Sequence, residues 1–202
     1  MEKVTVYLIN TKLVKENLEL ITNLVDSSRK EKADKLINEK DKLLSLGAAY
    51  LVKKCLGTNN IKTLETGKPY IDGGPYFSIS HSGNYAAFAV HPSRSVGLDI
   101  EKLDEEKVNA IKYVSNEEEK KIDDVGSLFR MWSNKESLIK CLPNGSKDVR
   151  LVVGLPLEGL REIDKEEYFT KSLIYDGYSL SLTLMGKEEF EIDTKLVDQI
   201  KV

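Results

Sequence analysis

Cysteine, histidine and tryptophan are scarce in this 202-residue chain, with two, two and one respectively. Two thiols cannot make a disulfide framework, and two Cys with two His fit no zinc spacing. Cys55 and Cys141 each lie in an apolar-periodic segment, which predicts two buried thiols. No apolar run approaches the roughly 20 residues that span a bilayer. The opening Met1-Glu2-Lys3-Val4-Thr5-Val6 alternates like a strand and lacks the apolar core of a signal peptide. A cytoplasmic protein without membrane contact is expected. Charge of one sign is lacking too: 30 Lys and Arg against 33 Asp and Glu leave −3. That balance argues against a chain built to coat nucleic acid or anionic lipid, while leaving room for a local basic cradle around a phosphorylated small molecule. What is present, 41% apolar and 31% charged residues, suits a globular α/β protein large enough to bury roughly 70% of its extended surface.

Residues 3–9 read as a strand closed by Asn10-Thr11. Leu18, Ile21, Leu24 and Val25 recur at helical spacing over Lys15–Val25. Asp26-Ser27-Ser28 offers caps for a helix from Arg29 whose early turns are basic. A longer helix is expected over Asp41–Leu56, ended by Gly57. Ile61–Thr63 reads as a short strand and Gly67-Lys68-Pro69-Tyr70 as a turn or extended segment. Phe77–Ser80 and Tyr85–Val90 should pair around Ser82-Gly83-Asn84, and Ser95–Glu101 is a further strand. Leu103–Ala110 is helix-prone, and Ser115 with Glu118 matches a capping box for a helix over Asn116–Asp123. Leu128–Leu142 is helical by pattern, stopped by Pro143-Asn144-Gly145. Arg150–Val153 is a candidate strand, and Tyr168–Tyr175 with Tyr178–Met185 forms a hairpin across Asp176-Gly177. Two halves of similar α/β content meet near Lys102, giving an N-terminal lobe 1–102 and a C-terminal lobe 103–202. No Gly-, Pro- or Ser-rich linker separates them.

Three segments could carry chemistry. In Val96-Gly97-Leu98-Asp99-Ile100-Glu101, strand alternation turns Val96, Leu98 and Ile100 to the core and puts Asp99 and Glu101 on the other face, with Cα atoms about 6–7 Å apart. Such a pair is either a solvated couple or a partial ligand set for a hard cation such as Mg²⁺. In Trp132-Ser133-Asn134-Lys135-Glu136-Ser137-Leu138-Ile139-Lys140, helical spacing stacks Trp132, Glu136 and Lys140 on one face. That face is either a core tryptophan beside an exposed ion pair or a wall offering a third carboxylate and a phosphate-binding ammonium. The third segment sets Lys68, held before a proline, ahead of Ser80-His81-Ser82, which offers several donors in a tight turn. No local spacing supports a nucleophilic triad. His91, before a proline, reads as a bystander.

Taken in order, Gly-Lys-Pro-Tyr, Ser-His-Ser-Gly, Gly-x-Asp-Ile-Glu and Trp-Ser-x-Lys-Glu-Ser-x-x-Lys resemble the 4′-phosphopantetheinyl transferases of the surfactin-synthetase-activating, single-chain, two-lobed type. The resemblance is carried by Gly67–Lys140 and implies two similar small α/β lobes in pseudo-two-fold arrangement. It implies transfer of the phosphopantetheine arm of coenzyme A to a serine of an apo acyl or peptidyl carrier protein, with Mg²⁺. It would put Asp99, Glu101 and Glu136 on the metal and Lys140 near the transferred phosphate. Lys68, Ser80, His81, Arg29 and Lys32 would contact coenzyme A, and Glu118 or Glu136 would be the catalytic base. The family's internal symmetry implies that a monomer suffices. A metal-dependent phosphohydrolase of a nucleotide diphosphate and a non-catalytic coenzyme A or carrier binder are the alternatives. The chain departs from the family at Lys42-Leu43-Leu44-Ser45, where an arginine often follows the aspartate equivalent to Asp41. It departs again at Cys141-Leu142-Pro143-Asn144-Gly145, in place of a glycine-rich stretch, and at Ser78, where asparagine is frequent.

Overall fold

Strand β1 (Glu2–Asn10) turns Val4, Val6 and Leu8 into one core while Ile9 enters another, as its alternation requires. The computed structural model describes residues 1–58, 61–143 and 158–201. Helices α1 (Thr11–Glu16), α2 (Leu18–Leu24), α3 (Ser27–Asp34) and α4 (Glu39–Leu56) follow. The Asn38 side chain caps α4 by accepting the Lys40 N–H at 2.8 Å, and Gly57 ends it at φ 68°. A two-stranded ribbon, β2 (Lys62–Thr63) with β3 (Pro69–Tyr70), precedes the hairpin of β4 (Tyr76–Ser82) and β5 (Tyr85–His91). Strand β6 (Val96–Lys102), a 3₁₀ turn at Glu105–Lys107, α5 (Val108–Val114), a second 3₁₀ turn at Glu119–Lys121 and the long α6 (Val125–Cys141) come next. Strands β7 (Gly159–Ile163), β8 (Glu166–Tyr175), β9 (Tyr178–Met185) and β10 (Phe190–Val197) complete the chain.

The strands form two four-stranded sheets, ordered β10-β1-β5-β4 and β6-β9-β8-β7. They bury one face against each other through Val4, Val6, Leu8, Leu98, Leu180 and Leu182. Each such side chain contributes roughly 1.5–3 kcal/mol by leaving water. Helix α4 covers the outer face of the first sheet, against Ile9, Ala86 and Phe88, and α6 covers the outer face of the second. The connectivity repeats: strand, helices, long helix, then a hairpin whose second strand pairs with the first. β1-β5-β4 in one lobe corresponds to β6-β9-β8 in the other. The fold is therefore α/β with two similar lobes. Among the described residues, no helix is long and apolar enough to cross a membrane.

Several expectations need correction. The helix over Lys15–Val25 is two helices, because Asn17 leaves helical geometry (φ −121°, ψ 28°) and its side-chain amide donates to Leu13 O; a short polar side chain competes here for a helix carbonyl. The helix over Asn116–Asp123 is only a 3₁₀ turn. Its capping box lies one residue later than expected: Asn116 Oδ1 accepts the N–H groups of Glu118 and Glu119, and Glu119 Oε2 accepts the Asn116 N–H. The Ser115 hydroxyl instead donates back to Ile111 O. A division after Lys102 does not follow the sheets, since β6 pairs with β9 in the second sheet and β10 returns to pair in parallel with β1 in the first. The candidate strand at 150–153 and the Asn144-Gly145 stop lie outside the described residues.

Candidate active site

Helix α6 presents its two chemically distinctive side chains because three local features fix its register. Asp124 caps it, with Oδ2 accepting the Ser127 N–H at 2.7 Å. Ser133 and Ser137 then meet hydroxyls of β9: Ser133 bonds Ser179 and Ser181 at 2.7 Å each, and Ser137 bonds Thr183 at 2.8 Å. Finally, Gly97 of β6 lets the helix backbone come close; a Cβ there would lie 2.5 Å from the Cys141 nitrogen and would strike the Ser137 carbonyl. With the helix so docked, Lys140 Nζ sits 2.6 Å from Asp99 Oδ1 and 3.1 Å from Ser80 Oγ.

Asp99 is 3% exposed, and its second oxygen, Oδ2, is buried without a partner. Glu101 accepts from Ser82 Oγ at 2.8 Å and lies 3.9 Å from the exposed Lys107 ammonium. Burial pushes the Glu101 carboxyl above its ordinary pKa, and the Asp99 charge pushes it further. Glu136 is raised in the same way, first by burial, then by Asp99, with Lys140 opposing. Glu101 and Glu136 thus share one electrostatic neighbourhood with the Asp99 charge, in which removal from water disfavours the ionised forms of the two glutamates. Among the described residues, no three acidic, His or Cys groups are already gathered as a set that could hold a metal ion. The ammonium of Lys140 stands on Asp99 instead.

Two clefts meet at Ile79. One, about 290 Å³, lies between Gly67, Lys68, Phe77, Glu136 and Lys140. The other, about 480 Å³, is lined by Arg29, Asp41, Ser45, Ala49 and His81. Arg29 and His81 are therefore brought together at one end of a groove whose other end holds Glu136 and Lys140. Lys32 is exposed on α3 outside both clefts. Ser80 is buried in the seam, its hydroxyl donating to Asp99 Oδ1 at 2.9 Å. Lys68 borders the first cleft, but its ammonium donates to Ser95 Oγ and to the carbonyls of Cys141 and Leu142 at 3.1–3.2 Å, closing the C-terminus of α6. Burial holds its pKa below the ordinary lysine value. Trp132 borders a separate groove of about 380 Å³ with Glu101, Lys107, Ile111 and Phe129.

Glu118 is not brought to this cluster. Its side chain is 81% exposed and pairs with Lys121 at 2.6 Å. The next residue, Glu119, is the buried one, paired with Lys135 at 2.5 Å where both side chains are almost fully enclosed. Sequence reasoning missed that pair, Lys107, and the partnership of Ser82 with Glu101. The usable signal was period two: Ser78, Ser80 and Ser82 alternate along β4 and so share a face.

The chain is thus a two-lobed α/β protein with Glu136 and Lys140 at the end of a groove and with Asp99 and Glu101 on the adjoining strand β6. Comparison with known proteins finds the following similarities. Residues 95–176 match the family model described as the 4′-phosphopantetheinyl transferase superfamily. The chain is 30% identical over 142 residues to the 4′-phosphopantetheinyl transferase gsp of Aneurinibacillus migulanus, a match covering 62% of this chain and 59% of that protein. It is also 30% identical over 105 residues to the L-aminoadipate-semialdehyde dehydrogenase-phosphopantetheinyl transferase of Xenopus laevis, covering 39% of this chain and 33% of that one. The chain thus spans under two thirds of either relative's length. It is similar to the 4′-phosphopantetheinyl transferases over part of its length, and the stretch matched by the family model contains Asp99, Glu101, Glu136 and Lys140.

Proposed function

We propose that this chain transfers the 4′-phosphopantetheine arm of coenzyme A to a serine of an apo acyl or peptidyl carrier protein, giving the holo carrier and adenosine 3′,5′-bisphosphate, as a cytoplasmic monomer. The observation that carries the reading is that Glu136 and Lys140 stand at one end of a groove that has Arg29 and His81 at the other, with Lys140 Nζ on the buried Asp99, whose charge acts on both Glu136 and Glu101. A diphosphate ligand needs several converging cations, and the groove has a cationic residue near each end.

The orphaned Asp99 oxygen, and the Asp99 charge that together with burial raises the pKa of Glu101 and Glu136, fit a donor set for a cation. Asp99, Glu101 and Glu136 would hold Mg²⁺, which when bound supplies charge neutralisation at the diphosphate. The chain's own residues do the rest. Lys140 compensates charge on the transferred phosphoryl group, and Arg29 and His81 hold the nucleotide end. Lys68 would contribute by holding α6 in place as well as by its charge. In the transfer, the serine Oγ forms a bond to the pantetheine-bearing phosphorus while that phosphorus loses its bridging oxygen. The bridging oxygen leaves on adenosine bisphosphate with the bond electrons. The serine proton passes to a carboxylate, and Glu136 is the better-placed candidate because burial already favours its protonated form. Glu118, exposed on Lys121, is dispensable in this scheme.

The test is purified chain with coenzyme A, MgCl₂ and a panel of apo carrier proteins, read by intact mass. A gain of one phosphopantetheine, lost in Asp99→Asn and Glu136→Gln variants that stay folded, is expected. No gain on any carrier, or coenzyme A cleaved equally fast without a carrier, overturns the reading.

A further inference from the structure

Strands β4 and β6 are edges of different sheets, yet they lie side by side without backbone pairing. Side chains stitch them instead. Ser78 Oγ accepts the Leu98 N–H at 2.9 Å, Ser80 Oγ the Ile100 N–H at 3.2 Å, and Ser82 Oγ the Lys102 N–H at 3.0 Å. A hydroxyl that accepts in this way still has its own proton to give. Ser80 gives its proton to Asp99 Oδ1 at 2.9 Å, and Ser82 gives its proton to Glu101 Oε2 at 2.8 Å. Ser78, one step earlier on the ladder, has Gly97 where the other two have an acid. Three rungs therefore close the lobes, and two of them also aim a carboxylate.

We propose that Ser82 is a positioning residue that holds the Glu101 carboxylate toward Asp99 against the pull of Lys107. The competition is visible in the distances. Ser82 lies 2.8 Å from Glu101 Oε2, within hydrogen-bond range, whereas Lys107 Nζ lies 3.9 Å from it on a side chain more than half exposed. Glu101 is the most exposed of the strand's two acids, so without Ser82 it has the freedom to swing outward to Lys107. The ladder makes lobe closure and carboxylate orientation one event, because the hydroxyl that accepts from the Lys102 backbone is the one that donates to Glu101. The proposal rests on the reading that these acids hold a divalent ion.

The experiment measures Mn²⁺ affinity, without coenzyme A, in the wild-type chain and in Ser82→Ala, Ser82→Thr and Ser78→Ala, together with melting temperatures and a crystal structure of Ser82→Ala. Ser78→Ala removes the same kind of rung with no acid attached, so it reports what the seam alone is worth. Expected are an affinity about 10- to 100-fold weaker in Ser82→Ala, the range for losing a partner of a metal ligand, recovery in Ser82→Thr, and little change in Ser78→Ala. The Glu101 side chain of Ser82→Ala should turn toward Lys107, and under transfer conditions kcat should fall with KM for coenzyme A unchanged. Equal affinity losses in Ser78→Ala and Ser82→Ala, or a Glu101 side chain that does not move, would overturn the proposal. A wild-type chain that modifies no carrier removes the transferase reading instead, and the crystal structure still decides whether Ser82 orients Glu101.

Discussion

Replacing Gly97 by alanine should damage stability and the active site together, by an amount the geometry sets. The added Cβ would lie 2.5 Å from the Cys141 nitrogen and 2.9 Å from the Cys141 Cβ, and would press on the Ser137 carbonyl. All but one of these atoms are helix backbone, so no side chain can swing aside. Restoring ordinary contact near 3.4 Å to the Ser137 carbonyl, the closest of the three, requires α6 to withdraw from β6 by about 1.5 Å. Overpacking against backbone costs about 3 kcal/mol, the upper part of the usual range, which for a domain of this size lowers Tm by about 6–12 °C. The same withdrawal would carry Lys140 Nζ from 2.6 Å to about 4.1 Å from Asp99 Oδ1, beyond hydrogen-bond reach. A displacement of that size at reacting groups costs about 100-fold in rate. Thermal melts and carrier modification on the same preparation test both halves. A Gly97→Ala chain that melts within 2 °C of wild type and turns over normally would refute the docking of α6 on β6, and with it the placement of Lys140 and Glu136.

Glu119→Ala should cost about 3–5 kcal/mol, because it strands the buried Lys135 ammonium, while Glu118→Ala should change neither stability nor transfer rate measurably; urea denaturation and mass-detected transfer check both. His91 is buried, with Nδ1 accepting the Arg94 N–H at 3.0 Å, and burial lowers its pKa below 6.5. The unfolded chain therefore binds this proton more readily, so stability should fall as pH drops below about 6.5. A His91→Gln variant should lose that part of the slope in urea melts at pH 7.5 and 5.5, and an unchanged slope would contradict the assignment. The Cys141 thiol is fully enclosed and pushed up to about 12, and the half-buried Cys55 is pushed up to about 11. Iodoacetamide at pH 8 should label Cys55 slowly and Cys141 only in denaturant; rapid native labelling of Cys141 would mean that the end of α6 opens.

What the sequence revealed of this protein followed from periodicity and from turn chemistry. Asp99 and Glu101 were separable from Val96, Leu98 and Ile100 by alternation alone, and Glu136 and Lys140 shared a face by helical spacing. Gly57 and Asp176-Gly177 ended or turned elements by left-handed backbone, with φ of 68°, 49° and 75°. What stayed hidden depended on partners distant in sequence. Asn17 breaks a helical pattern only because its amide competes for Leu13 O. Whether residue 118 or 119 faces inward turned on one residue of capping register, which Lys135, sixteen residues on, settles. Strand β10 is half exposed, and its alternation is weak because only its pairing with β1 needs to be specified. The serines of β4 had no stated partner until β6 was placed beside them.

The repeat of one β-α-β-β plan in both lobes does not make their contributions equivalent, and that inequality explains why the cleft needs both. In the first lobe, the strand face under the long helix is apolar: Ile9 and Ala86 pack on α4, where a Cβ added at Gly47 would lie 3.1 Å from an Ile9 methyl. In the second lobe, the corresponding face carries Gly97, Asp99 and Glu101 on β6 and Ser179, Ser181 and Thr183 on β9, and α6 meets it with hydroxyls. The acids and Lys140 therefore come from the second lobe, while Arg29, His81 and the orienting serines come from the first. Either lobe alone would leave buried carboxylates without donors or a cationic groove without acids. β10 crosses back to the first sheet and β6 lines the edge of the second, so separating the lobes would also unpair a strand of the first. Closure of the fold and assembly of the site are for this reason one structural requirement, met along the β4–β6 seam.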